Sequence, residues 1–337
     1  MRSIGVLGAG SFGTALAVHA AAAGRDVVLW ARREELALAM SREGENRSYL
    51  PGIPLPPALR LTSDLAEVAE SDLVLVAVPS HGFRQTVRAF LAVHAGTAPV
   101  RLISAAKGIE VETQARMSQV AFEEGIAADR DVRFAVLSGP SFAVELAKGM
   151  ATAVVIAAEE PELATLIQGE LSGPVLRLYS SSDVVGVELG GAVKNVIAIA
   201  AGVVAGLGLG HNTLAALITR GLHEITRLGI AYGGQPRTFA GLAGLGDLVL
   251  TSTGALSRNR QVGTRLAEGV SVEEITAGTS QVAEGIKSSL AIVRLARQKN
   301  VEMPITEQVG AILHQGKPPR AALADLMRRE LKAEAEL

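Results

Sequence analysis

The spacing of apolar positions changes rhythm once along the chain, close to residue 183. Up to that point short apolar runs rich in β-branched residues alternate with stretches of helix formers: Ser3–Leu7, Asp26–Trp30, Asp72–Ala77, Val100–Ser104, Val132–Leu137, Ala153–Ala157 and Val175–Tyr179. Strands without polar alternation are buried on both faces, the condition of a parallel sheet covered by helices. The first 182 residues therefore predict a doubly wound α/β domain of Rossmann type. Ser180, Ser181, Ser182 and Asp183 then supply a cluster of N-cap residues. No strand pattern follows, so residues 183–337 predict an all-helical second domain.

That domain opens with a helix predicted over Asp183–Gly208. Every residue from Val196 to Leu207 is aliphatic, Ala or Gly, and Glu188, Lys194 and Asn195 are the only strongly polar side chains between Val184 and Leu207. A helix apolar almost all round belongs in a core. A membrane span needs roughly 20 predominantly apolar residues. Interrupted by Lys194 and by Gly208–His211, this run reads as too short and too glycine-rich to span. Glu188 and Asn195 share a face, while Lys194 lies over Gly190 and Gly191, which predicts open space beside its amine. Such a lysine either snorkels to water along its stem or, partly desolvated, has its pKa pushed toward neutrality and exchanges a proton with a substrate oxygen. The apolar context favours the second reading.

At the other end of the chain the first strand runs into Gly8-Ala9-Gly10-Ser11-Phe12-Gly13, after which Thr14–Ala23 is helix-forming and stops at Gly24. Gly8 permits the tight turn, Gly10 lets backbone N–H groups approach a pyrophosphate, and Gly13 lets the helix pack on the strand. Alone the pattern is weak. Set between the first strand and a second at Asp26–Trp30 it completes a βαβ unit and predicts a dinucleotide site. An NAD-specific site usually carries an acid at the end of that second strand; this chain has Arg32 and Arg33. Two arginines suit a 2′-phosphate, so NADP(H) is expected to be favoured, with NAD(H) also admitted. The plainer reading is a solvated basic pair balanced by Glu34 and Glu35.

Ligands of such sheets bind beyond the carboxyl ends of the strands, where Val78-Pro79-Ser80, Ala106-Lys107-Gly108 and Ser138-Gly139-Pro140-Ser141 fall. Lys107 is thereby directed at the ligand crevice, in a chain with seven lysines against 25 arginines; an exposed loop lysine is the alternative. Pro140 suits the first turn of a helix continued by Phe142–Lys148. In the second domain Ala240–Asp247 reads as a glycine-rich apolar loop, with Asp247 either capping a helix Leu248–Thr251 or touching a substrate hydroxyl. Ser257 reads as the N-cap of a helix running to Ala267, which puts Arg258 and Asn259 in its first turn. A cation there is explained by a phosphate bound at the helix N-terminus or is an accident of a capped surface helix. Spacing alone leaves the two even.

Composition narrows the chemistry. The length allows two cores. A formal net charge of −2 without a basic run gives no ground for a nucleic-acid partner. With no cysteine, disulfides, thiolate metal sites and cysteine nucleophiles are excluded. His19, His81, His94, His211, His223 and His314 lack metal-ligand spacing, so no metal is expected. The apolar run Ile4–Leu7 starts almost at the N-terminus and leads straight into the glycine turn. No signal peptide is read, and cytoplasm is the expected compartment.

Gly8–Gly13, Leu137-Ser-Gly-Pro-Ser-Phe142, Glu188-Leu-Gly-Gly-Ala-Val-Lys-Asn195, Gly241-Leu-Ala-Gly-Leu-Gly-Asp247 and Ser257-Arg-Asn259 occur in that order. Together they make the chain resemble, over essentially its whole length, the bacterial NAD(P)-dependent glycerol-3-phosphate dehydrogenases. The resemblance implies reversible reduction of dihydroxyacetone phosphate to sn-glycerol 3-phosphate, feeding glycerophospholipid synthesis. A phosphorylated triose is then the small-molecule partner, and a homodimer is admitted. It implies Lys194 as proton donor and acceptor, with substrate contacts from Lys107, Gly139, Ser141, Asp247, Ser257, Arg258 and Asn259. It implies a cofactor site lined by Ser11, Phe12, Arg32, Arg33, Tyr49, Lys107, Ala143, Arg258, Val282 and Glu284, beside Gly8, Gly10 and Gly13 of the turn. Tyr49, Val282 and Glu284 rest on the resemblance alone. Two rival readings remain. A β-hydroxyacid dehydrogenase also joins a Rossmann domain to a helical domain bearing a catalytic lysine, but needs a carboxylate site in place of the phosphate site. A dinucleotide-binding redox sensor without turnover would lack a buried proton donor such as Lys194.

Overall fold

The computed structural model describes residues 2–277, 283–331 and 333–334. The chain separates into two compact units, Met1–Ala106 with Ala115–Val184, and Lys107–Gln114 with Val185–Leu337. The segment bearing Lys107 thus groups with the helical unit, a crossing that a single cut at residue 182 does not contain.

The first unit holds β1 Ser3–Leu7, β2 Asp26–Trp30, β3 Glu45–Asn46, β4 Leu50–Pro54, β5 Arg60–Thr62, β6 Leu73–Val76, β7 Val100–Ser104, β8 Val132–Ser138, β9 Thr152–Ala158 and β10 Leu176–Ser181. Eight of them form one sheet in the order β10-β9-β8-β7-β6-β1-β2-β5. β1 lies between β2 and β6, with Val6 beside Leu29 and Leu75, and all three side chains are fully buried. Covering both faces is what made these runs continuously apolar. One pair departs from the expected parallel sheet: β8 and β9 run antiparallel. The only helix between them is the five-residue Ala143–Ala147, about 7.5 Å long, too short to return along a seven-residue strand of about 23 Å. That helix is preceded by Phe142 as N-cap, so Pro140 lies ahead of it rather than in its first turn. β3 and β4 pair only with each other, antiparallel, in a separate two-stranded hairpin. Together with β5 they were not expected, because β3 and β5 are only two and three residues long and β4 is broken up by Pro51, Gly52 and Pro54.

Among the described residues every regular element of the second unit is a helix, the segment Lys107–Gln114 being non-helical. At its centre is Val184–Gly206, where Leu189, Val193, Val196 and Ile197 are fully buried. They pack with Ile225, Leu228 and Ile292 of neighbouring helices. With 23 residues and a mean hydropathy of 1.6 this helix is long and apolar enough to cross a membrane, which corrects the expectation that it is too short. Its apolarity has another cause, because 83% of the apolar window is buried inside the protein. Helices Gly210–Ala231, Asp247–Thr253, Arg258–Ala267, Glu284–Gln298 and Pro304–Gln315 belong to the same unit, and a π-helical turn, Leu242–Gly246, leads directly into Asp247.

Candidate active site

Glycine decides how close the π-helical turn comes to the central helix. A Cβ on Gly190 would stand 2.8 Å from the Ala243 carbonyl oxygen, so the space expected beside Lys194 is taken up by backbone. This close approach brings Asp247 onto the lysine. Lys194, 5% exposed, has its Nζ 2.9 Å from Asp247 Oδ1 and donates to Thr251 Oγ1 at 2.7 Å. The other carboxylate oxygen, Oδ2, accepts from Lys107 Nζ at 2.7 Å. Thr251 lies one turn beyond Asp247 on the same helix face and donates its own proton to the Asp247 carbonyl at 2.7 Å, which leaves a lone pair for Lys194. Asp247 is therefore the first residue of a helix that continues from the π turn, not the cap of a helix starting at Leu248. Its carboxylate is committed to two ammonium groups.

The electrostatics follow from burial and charge. Burial lowers the Lys194 pKa to about 8; the Asp247 carboxylate opposes that fall and the Lys107 ammonium adds to it. Burial pushes Asp247 upward, but Lys107 and Lys194 together outweigh it and hold the carboxyl below its ordinary value. A carboxylate that stays ionised thus sits beside an amine that changes charge near neutrality.

A chain of amides ties these groups to the next helices. Asn195 Nδ2 donates to the Lys107 carbonyl at 2.9 Å, Asn259 Nδ2 donates to Asn195 Oδ1 at 2.9 Å, and Gly285 N donates to Asn259 Oδ1 at 3.0 Å. The Asn259 side chain is accordingly engaged within the unit. Ser257 caps its helix, its hydroxyl accepting from Arg260 N at 3.2 Å, and Arg258 is exposed at the start of that helix. Glu284 opens the helix Glu284–Gln298, and its charge is felt at Lys194. Val282 lies outside the described residues.

In the first unit the glycine turn has the geometry a phosphate cradle needs. Gly8 is at φ +116°, and a Cβ on Gly13 would fall 2.0 Å from the Gly8 carbonyl. A Cβ on Gly10 would meet nothing within 4 Å. Gly10 is the N-cap of Ser11–Ala22, and no side chain caps that helix, so its first-turn N–H groups suit an anion. Phe12 is half-buried against the core. Arg32, Arg33, Glu34 and Glu35 are all exposed, as a solvated pair requires and as a 2′-phosphate site also allows. Arg33 Nη2 donates to the Tyr49 hydroxyl at 3.4 Å, which puts the tyrosine beside the arginine pair. Gly139 is at φ +137°, Ser141 Oγ donates to the Gly139 carbonyl at 3.0 Å, and Ala143 opens the short helix after β8. Sequence reasoning missed the role of Thr251, although its spacing of four residues from Asp247 was a usable signal. It missed Asn46 altogether.

Comparison with known proteins places the chain in a family. Residues 3–164 match the family model described as the NAD-dependent glycerol-3-phosphate dehydrogenase N-terminus and residues 183–324 that of its C-terminus. The chain is 51% identical over 335 residues to the NAD(P)+ glycerol-3-phosphate dehydrogenase of Geobacter sulfurreducens, covering 98% of each. It is 52% identical over 334 residues to the enzyme of the same name from Trichlorobacter lovleyi, covering 98% of this chain and 99% of the relative. The crystal structure of glycerol-3-phosphate dehydrogenase from Coxiella burnetii superposes with a TM-score of 0.92 at 39% identity, covering 97% of this chain and 99% of that one. By these matches, and by the order in which its motifs occur, the chain belongs to the NAD-dependent glycerol-3-phosphate dehydrogenase family.

Proposed function

We propose that this protein reversibly reduces dihydroxyacetone phosphate to sn-glycerol 3-phosphate with NAD(P)H, supplying glycerophospholipid synthesis, and that Lys194 is the proton donor and acceptor. The observation that carries the reading is a lysine 5% exposed with its amine 2.9 Å from a carboxylate that a second lysine also holds. Support for either dinucleotide comes from the names of the relatives, which specify NAD(P)+. Preference for NADP(H) is our reading of Arg32 and Arg33.

In this scheme the first unit binds the dinucleotide, through Gly8, Gly10, Ser11, Phe12 and Gly13 at the pyrophosphate, Arg32, Arg33 and Tyr49 at the 2′-phosphate, and Ala143 along the site. The second unit takes the substrate; Gly139 and Ser141 are assigned to substrate contact on family likeness. At the helix start Ser257-Arg258-Asn259 the Arg258 side chain and the first-turn N–H groups bind the substrate phosphate, with Ser257 and Asn259 holding that turn in place, which fixes the ketone for reaction. Val282 and Glu284 are assigned to the cofactor side on family likeness. A dinucleotide held by these residues would supply the hydride for the ketone carbon. As negative charge grows on the carbonyl oxygen, the Lys194 ammonium stabilises it and then gives up its proton. Asp247 keeps that ammonium charged in dry surroundings, and the Thr251 lone pair aims it. With Lys194 at about 8, the ammonium needed for reduction prevails at neutral pH. The amine needed for oxidation grows in as pH rises through about 8.

The test is Lys194→Met, which keeps much of the stem but carries no proton. Loss of reduced-nicotinamide absorbance with dihydroxyacetone phosphate should slow by roughly 10²–10⁴-fold, with NADPH binding unchanged and no turnover of a β-keto acid by the wild type. A variant with near-normal kcat would sink the assignment.

A further inference from the structure

The β3–β4 hairpin stands outside the main sheet and carries a register shift between Glu45 and Asn46, so its own pairing holds it weakly. Asn46 is nevertheless fully buried, and a buried amide is tolerated only when its hydrogen bonds are made. They are. Nδ2 donates to the Ala9 carbonyl at 2.9 Å and to Thr14 Oγ1 at 2.8 Å, and Oδ1 accepts from Tyr49 N at 3.2 Å. A carbonyl can only accept, so the Ala9 contact fixes which end of the amide faces the glycine turn. A second fastening is Ser11 Oγ donating to the Tyr49 carbonyl at 2.6 Å. The Tyr49 backbone is therefore held at both its N–H and its carbonyl, and its hydroxyl accepts from Arg33 Nη2 at 3.4 Å.

We propose that Asn46 is a positioning residue for cofactor specificity: its carboxamide bolts the hairpin to the glycine turn and so places Tyr49 and Arg33 at the 2′-phosphate. This rests on the reading of Arg32, Arg33 and Tyr49 given above. The turn itself has ties that do not involve Asn46, from Gly8 N to the Trp30 carbonyl at 3.1 Å and from Thr14 N to the Gly10 carbonyl at 2.9 Å. Loss of Asn46 therefore falls on the 2′-phosphate end and spares the pyrophosphate end.

Calorimetric titration of NADPH and of NADH into the substrate-free protein tests this without catalysis. Asn46→Ala should raise the Kd for NADPH about tenfold and that for NADH less than about threefold. Asn46→Asp should do the same, since it keeps the acceptor for Tyr49 N but neither donor. The double variant with Arg33→Ala should lose no more NADPH preference than Arg33→Ala alone, because Asn46 acts through that arginine. If Arg33→Ala lowers the preference while Asn46→Ala weakens both cofactors equally, the positioning proposal is overturned and the 2′-phosphate reading stands. If Arg33→Ala leaves the preference unchanged, the 2′-phosphate reading falls and takes the proposal with it. Should the Asn46 variants not fold, Thr14→Val removes one acceptor with the shape kept. It should lower the preference by a smaller factor, and an unchanged preference would overturn the proposal.

Discussion

Asp247 and Glu224 are each 1% exposed and sit on helices of the same unit, yet their carboxyl groups are driven in opposite directions. Glu224, on Gly210–Ala231, accepts from Ile305 N at 2.6 Å, from Thr306 N at 3.1 Å and from Thr306 Oγ1 at 2.8 Å. It thereby caps Pro304–Gln315, whose own N-cap Met303 offers no side-chain bond. Burial pushes it up to about 7, with those hydrogen bonds and the Arg227 charge pulling back. Asp247 suffers the same burial but faces the ammonium groups of Lys107 and Lys194, which hold it below its ordinary value. Depth is therefore not what decides a buried carboxyl's charge. Neutral dipoles only partly offset desolvation, whereas two full charges at contact exceed it. The first arrangement closes a helix end; the second holds the Lys194 ammonium against an ionised carboxylate.

The sharpest way to break this contrast is Asp247→Asn, which leaves two buried ammonium groups facing a neutral amide. Lys194 should then titrate below about 8, and kcat should fall by about 10²-fold. The alkaline limb of glycerol 3-phosphate oxidation should move to lower pH, and a limb that stays put would show that Asp247 does not tune the lysine. Lys107→Met should act in the opposite sense with a smaller cost. Its ammonium lowers the Lys194 pKa, so its removal should shift the same limb to higher pH while turnover drops about tenfold; a limb moving the other way contradicts the charge arrangement. Glu224→Gln should change kcat by less than about twofold and show itself in stability instead. Because the folded pKa, about 7, lies above the ordinary 4.5, the stability from this group is fully present below pH 4.5 and is lost as pH rises through 7. That window is worth about 3 kcal/mol. Urea midpoints compared at pH 5 and pH 8 should therefore separate less in Glu224→Gln than in the wild type. Equal separations would show that Glu224 does not carry the slope.

Read from the chain alone, Asp247 stood out and Glu224 did not, but the partners of neither were legible. Glu224 stands in a helix with no local mark of burial, and Asp247 stayed open between a cap and a substrate contact because Gly241–Gly246 looked like a loop. The π-helical turn adds a residue to each turn and has no sequence period of its own, so the register that carries Asp247 onto Lys194 was illegible. The glycine turn at Gly8–Gly13 and the Ser257 cap were legible, since each is a short pattern whose geometry is set within a few bonds. Lys194 was legible for the same reason: one cation in an apolar helix is a local anomaly. Space beside it was wrongly inferred from Gly190, because a missing Cβ serves equally well to admit a neighbouring backbone.

What the sequence determined by itself was therefore local. Apolar runs made the strands, glycine made the turn, serine made the cap, and apolar length made the central helix. Tertiary structure alone decided which polar groups meet, because the partners are remote along the chain. Lys194 and Thr251 are 57 residues apart, Lys107 and Asp247 are 140 apart, and Asn46 reaches back 37 residues to Ala9. Periodicity registers which face of an element is buried. It carries no record of what stands opposite that face, and the charge standing opposite separates Asp247 from Glu224.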